Sequence, residues 1–244
     1  MMTLVKFISL TIVSLALNAC QFNSFPFNKG VRGNGVVVTE QRSIDASFNS
    51  IEVSTGIDLF LTQNESPSIS VQTDENIQEF IITEIENEVL KIYIDENTYR
   101  VASKKVVVNF KTIEEIKASS GSAVFSTNTL NVPSLDLSTS SGSEMKLTVE
   151  TKYINSSSSS GSELTLEGNT ETFSGDSSSG SHLNASKLTA KFCETKASSG
   201  SNLSVKCLEE FNAKASSGAA IENHESAMKN TVESSSGGNI ETQN

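Results

Sequence analysis

The stretch "NSSSSSGSELTL", Asn155 to Leu166, decides how the rest of the chain is read. Serine and glycine at this density usually mean a flexible spacer. A spacer has no reason to keep count, and this one does. Ser-Ser-Gly recurs with its glycine at Gly121, Gly142, Gly161, Gly180, Gly200, Gly218 and Gly237. The steps between them are nearly constant, and such self-similarity is the mark of a stacked repeat.

The apolar residues keep step. Val124, Met145, Leu164, Leu183, Leu203, Ile221 and Ile240 each stand three places after a glycine. Leu147, Leu166, Ala185 and Val205 follow two places further on. Ahead of the glycine, Leu135 and Leu137, Ile154, Phe173, Phe211 and Ala213, and Val232 fill the columns seven and five places back. Polar residues alternate with them, which is strand patterning. One such turn cannot bury its apolar stripe, but stacked turns cover one another. Residues 118–244 are therefore predicted to be a single-stranded parallel β-helix of about 19–20 residues per turn, right-handed by the twist argument that governs parallel crossovers. The fold class is all-β.

Sharp bends favour positive φ, which glycine adopts freely. The residues three before each glycine, Ala118, Thr139, Ser158, Ser177, Ala197, Ala215 and Ser234, are all small, so the interior must be tight there. The serines can bond to the neighbouring turn or to backbone groups left free at the bend. This corner chemistry is preferred to a binding role for the serine rows.

Upstream, "SIEVSTGIDLFLT" (Ser50–Thr62) has the same layout around Gly56. The distance from Gly56 to Gly121 fits three longer turns. Strands are expected at 68–72, 81–86, 89–94 and 105–110, with a helical turn in "DENIQEF". Residues 33–117 are read as irregular turns capping the regular coil, with a separate small β-domain as the alternative.

The N-terminus has another character. "MMTLVKFISLTIVSLALNAC" has one Lys and then an apolar run, Phe7 to Leu17, that ends before Cys20. This is a secretory signal layout, and "LNAC" resembles a lipobox. The expectation is a lipoprotein signal over 1–19, an acylated Cys20 that holds the protein to the membrane, and a tether over 20–32. Durable anchoring needs more than one acyl chain, which such a cysteine carries. Cys193 and Cys207 remain. An exported pair can form a disulfide, but buried free thiols are the preferred reading.

At "GNGVVVTEQR" (Gly33–Arg42), "FNSIEVSTGIDLFLTQ" (Phe48–Gln63), "VQTDENI" (Val71–Ile77), "TEIENEVLKIYI" (Thr83–Ile94) and the Ser-Ser-Gly repeats, the chain resembles the auto-transporter adhesin family with the head GIN domain, found in envelope lipoproteins of Bacteroidetes. The resemblance implies a β-helix in the cell envelope, with no assigned catalytic residues. It suggests an outer-membrane lipoprotein, with periplasmic and surface orientations both open.

The residues themselves narrow the function. A net charge of −11 repels phosphate backbones and disfavours nucleic acid. The only histidines, His182 and His224, lie about two turns apart. His182 falls in an outward column with Ala123, Glu144, Glu163, Asn202 and Ala220. No metal site, cofactor site or catalytic set is expected. The leading reading is a non-catalytic adhesin, binding protein or scaffold whose long side meets a glycan or protein. The alternative is a carbohydrate-active enzyme with a site in the Gly56–Gly121 loops. End-to-end assembly and an ice- or mineral-binding surface are weaker alternatives.

Overall fold

The computed structural model describes residues 30–243. It is all-β, 63% strand and 3% helix, with about seven stacked turns. The expectations for the signal segment, for Cys20 and for residues 20–29 lie outside the described residues. The end of the expected tether belongs to the body, because Val31–Arg32 pairs in parallel with Thr98–Tyr99.

Each turn has two strand walls that meet at the Ser-Ser-Gly bend. In the wall before the bend, Glu115–Ala118, Ser134–Thr139 and Tyr153–Ser158 stack in parallel and in register. The later walls continue the stack to Lys229–Ser234. In the wall after the bend, Ala123–Ser126, Glu144–Glu150 and the start of Glu163–Ser177 do the same. The register offset equals the spacing of the glycines, so the periodicity of the sequence is the circumference of the coil.

The bend itself uses two left-handed residues, not one. Ser120 has φ 52° and Gly121 has φ 70°, and the pair recurs through Ser236 and Gly237. Ser122 N–H closes the bend on Ser119 C=O at 3.1 Å. Two consecutive positive φ values under such a bond make a type I′ turn. Glycine takes that conformation without strain, but a serine there costs about 1–2 kcal/mol. Stacking offers a compensation. Gly121 N–H donates to Ser141 C=O in the next turn at 3.1 Å, and the same bond repeats through Gly142, Gly161, Gly180 and Gly200.

The serine that follows Gly121, Gly142, Gly161, Gly180 and Gly200 is buried; Ala219 stands in that place after Gly218 and Gly238 after Gly237. Ser181 is 1% exposed. Its hydroxyl sits 2.7 Å from Ser178 C=O of its own bend and 2.7 Å from Ser158 C=O of the preceding turn. It also accepts Ser178 N–H at 3.1 Å. Ser122, Ser143, Ser162 and Ser201 repeat this role. An alanine here would strip a partner from buried backbone groups.

The core widens away from the bend. Ala118, Thr139, Ser158, Ser177, Ala197 and Ala215 are buried where the walls meet, and Leu135, Ile154, Phe173, Cys193 and Phe211 are buried at the broad side. Bulk is traded within a turn: a Cβ on Gly175 would meet the Phe173 ring at 2.7 Å, so the large ring stands beside the smallest residue. That is close packing by complementary volumes.

The cap departs from the expected three turns. Ser50–Val53 and Asp58–Gln63 pair directly with Glu115–Ala118 and Ala123–Ser126. Gly56 N–H bonds to Ser120 C=O at 3.1 Å, so the bends at Gly56 and Gly121 are neighbours. The intervening chain folds to the opposite side. Val89–Ile94 and Lys104–Phe110 form a turn beneath the Gly56 turn. Ser68–Asp74 then runs antiparallel along Lys104–Phe110, and Val37–Arg42 runs antiparallel along Ser68–Asp74. Ile81–Glu86 forms an antiparallel hairpin with Val89–Ile94. The helical turn is a 3₁₀ segment, Glu75–Phe80, which buries Ile77 and Gln78. Cap and coil share one hydrophobic core. Antiparallel strands cover the end that a parallel coil leaves bare.

Asp74 fastens this cap. Its carboxylate is fully buried and accepts the backbone N–H of Gly35 and of Ala102, each at 2.8 Å. It holds the Gly33–Gly35 loop against the loop that enters Lys104–Phe110.

Candidate functional site

The inward columns are committed to packing, so any contact surface lies on the outward columns. Two of them border a shallow groove beside the bends. One column, four places before each glycine, contains Glu52, Lys117, Ser138, Ser157, Asp176, Lys196, Lys214 and Glu233. The other is the serine two places before the glycine. The groove opens into hollows of about 350 Å³ near Lys196 and Lys214 and about 310 Å³ near Lys91 and Lys117.

Its charges neutralise one another along the wall. Lys117 Nζ lies 2.9 Å from Glu115 and 3.4 Å from Glu52. Lys196 meets Glu194 at 3.0 Å, and Lys214 meets Glu233 at 3.0 Å. The hydrogen bond to Glu115 raises the Lys117 pKa above the ordinary lysine value. Burial opposes ionisation of Glu115, but the hydrogen bonds from Lys117 and Ser50 outweigh it and leave its pKa below the ordinary value. Exposed pairs of this kind contribute little stability. They make the wall polar without concentrating charge at one point.

A third outward column lies nearer the far side of the same wall. It runs Ser134, Tyr153, Thr172, Phe192, Glu210, Lys229 in register. Tyr153 and Phe192 are 55% and 38% exposed. On the opposite wall Phe60 and Phe125 stack at 5.5 Å between centroids, with Lys105 Nζ 4.6 Å over Phe60. These two rings are distant in sequence and one turn apart in space.

The structure places the sequence candidates plainly. Gly56, Gly121, Gly142, Gly161, Gly180, Gly200, Gly218 and Gly237 all have φ between 68° and 78° at the bends, and they are architectural. His182 stands between Glu163 and Asn202 on the outer wall, while His224 lies 3.4 Å from Glu222. Among the described residues no group of three His, Cys, Asp or Glu side chains could hold a metal ion. Cys193 and Cys207 are free and buried. A hydrogen bond with Cys207, and then burial, push the Cys193 thiol well above its usual pKa. Among the described residues, no helix is long and apolar enough to cross a membrane.

Comparison with known proteins settles the kinship. Residues 47–227 match the family described as "Putative auto-transporter adhesin, head GIN domain". The chain belongs to this family. Crystal structures of two proteins named putative adhesins and of one named otherwise share the fold of this head GIN protein. One from Bacteroides fragilis NCTC 9343 has a TM-score of 0.83 at 17% identity, over 88% of this chain and 100% of that one. One from Parabacteroides merdae ATCC 43184 gives 0.72 at 20% identity, over 88% and 99%. A third, named a putative lipid binding protein, from Parabacteroides distasonis ATCC 8503, gives 0.66 at 18%, over 88% and 99%. No curated protein matches the chain. The family name indicates a protein of the cell envelope or surface.

In the sequence the tyrosines look few and dispersed, and Tyr153 has no evident link to Phe192. The signal was available in the glycine spacing: both residues stand eight places before their glycines, Gly161 and Gly200.

Proposed function

We propose that this head GIN protein is a non-catalytic adhesin, held to the outer membrane by acyl chains on Cys20, whose coil presents its outer wall to a partner. The observation that carries the reading is the ordering of the wall. Its charged side chains pair with one another, Lys117 with Glu115 along one strand and Lys214 with Glu233 across turns, and do not converge on a reaction centre. A long, regular, polar surface suits extended contact better than turnover. The family kinship supports the same reading.

The test uses detergent-solubilised full-length protein reconstituted in liposomes. The liposomes should adhere to surfaces coated with cell-envelope material, and protein-free liposomes should not. Failure to adhere to any glycan- or protein-coated surface defeats the reading.

The cap favours a second reading. A cavity of about 500 Å³ is lined by Arg42, Asp45, Glu79 and Glu84 above an isoleucine floor. Carboxylates beside a hollow are what a carbohydrate-active enzyme needs. Release of reducing sugar from a polysaccharide, lost in both Glu79→Gln and Glu84→Gln, would replace the adhesin reading.

A further inference from the structure

We infer that the column carrying Tyr153 and Phe192 is a docking strip for an extended, uncharged glycan. The inference rests on the adhesin reading and adds a ligand class and a place. Among the described residues, the other large apolar side chains of comparable exposure lie at the two ends of the body: Val36, Val37 and Tyr99 in the cap, Met228 and Val232 at or beside the last turn. Along the walls between those ends, only Tyr153 and Phe192 stand out. They share one column, separated by Thr172.

The spacing selects the ligand. Parallel strands repeat at about 4.8 Å, so the two rings lie roughly 9.6 Å apart along the coil. That is close to the length of two sugar units in an extended pyranose chain. Sugar rings present C–H faces that stack on aromatic rings, and their hydroxyls point outward from the edges. The threonine between the rings is small enough to leave the strip flat. The next outward column toward the bend supplies Asn155, Ser174 and Glu194, an amide, a hydroxyl and a carboxylate that can meet sugar hydroxyls.

Charge argues against polyanions and polycations. The residues preceding Tyr153, Thr172 and Phe192 are Lys152, Glu171 and Lys191. Their signs alternate along the strip, so it presents no single-signed field to an approaching polymer, and the net charge of −11 repels a polyanion at longer range.

The test is affinity electrophoresis of detergent-solubilised full-length protein through gels containing hydroxyethylcellulose, xyloglucan or galactomannan, with alginate as the anionic control. At least one neutral polymer should retard the protein more than alginate does. Tyr153→Ala and Phe192→Ala should each weaken that retardation about tenfold, and Lys146→Ala on the opposite wall should leave it unchanged. Both aromatic side chains are exposed, so the variants should keep the parent's circular dichroism. Retardation unaffected by either aromatic substitution would overturn the strip. So would retardation by none of the neutral polymers while the liposomes still adhere to protein-coated surfaces, an outcome that leaves the adhesin reading standing. Loss of all adhesion would remove both.

Discussion

The coil and the cap bury similar side chains but obtain their order differently. In the coil, each turn repeats one local device, a type I′ bend with a register set by the distance to the next bend, and five of the turns add a buried serine behind it. In the cap, order comes from partners far apart in sequence, such as Asp74 with Gly35 and Ala102, or Gln78 with Val38 at 3.1 Å. A device repeated in many turns tolerates damage to one copy, because stability is shared between neighbours. A unique fastening has no substitute.

The sharpest way to break that contrast lies inside the coil, at a glycine outside the repeat. Gly168 has φ 117°, and a Cβ there would sit 2.0 Å from Val149 C=O. Neither backbone can withdraw without losing the pairing of Val149 with Gly168. Gly168→Ala should cost roughly 3–5 kcal/mol in chemical denaturation. In the cap, Asp74→Ala leaves two backbone N–H groups without their acceptor and should cost about 3 kcal/mol. Hydrogen exchange should localise the damage, with protection lost around Gly35 and Ala102 and kept in the bends.

A bend glycine should behave more mildly. A Cβ on Gly161 meets nothing within 4 Å, so Gly161→Ala carries only the left-handed strain, about 1–2 kcal/mol. Its neighbour should respond with the opposite sign. Ser160 already bears φ 53°, and Ser160→Gly should relieve strain while adding freedom to the unfolded chain, for a net gain of about 0.5 kcal/mol. A loss of stability there would mean that the serine side chain does more at the bend than its backbone suggests.

The smallest effect concerns pH. The folded pKa of Glu115 is lowered, so its contribution is present above the ordinary carboxylate pKa and is lost as pH falls through the lowered value. With a side chain 34% exposed, the contribution should stay below about 0.5 kcal/mol after solvent screening. Comparing acid titrations of the parent and Glu115→Gln measures it.

The same contrast explains what could be read without coordinates. The coil was legible because its period is written locally: Ser-Ser-Gly, then Leu164 and Leu166 at fixed offsets. The strands of the cap were legible as strands, and the helical turn at Glu75–Phe80 was expected. Their order in space was not. The return of Ser68–Asp74 along Lys104–Phe110 depends on long-range antiparallel pairing, which leaves no period. The length of chain between Gly56 and Gly121 therefore suggests three turns where the structure has one step. The Phe60–Phe125 stack stayed hidden for the same reason. The left-handed serine at each bend was also missed, because positive φ is expected of glycine and not of serine.

Direct stacking of the Gly56 turn between the Val89–Ile94 strand and the Gly121 turn joins cap to coil. Glu52 pairs in register with Lys117 on one side and with Lys91 on the other. In a background lacking the native cysteines, Glu52→Cys combined with Lys117→Cys, and separately with Lys91→Cys, should cross-link readily in the folded protein. A separation of three turns would hold Glu52 and Lys117 roughly 14 Å apart. Failure of the Glu52–Lys117 pair to cross-link before unfolding would contradict the account.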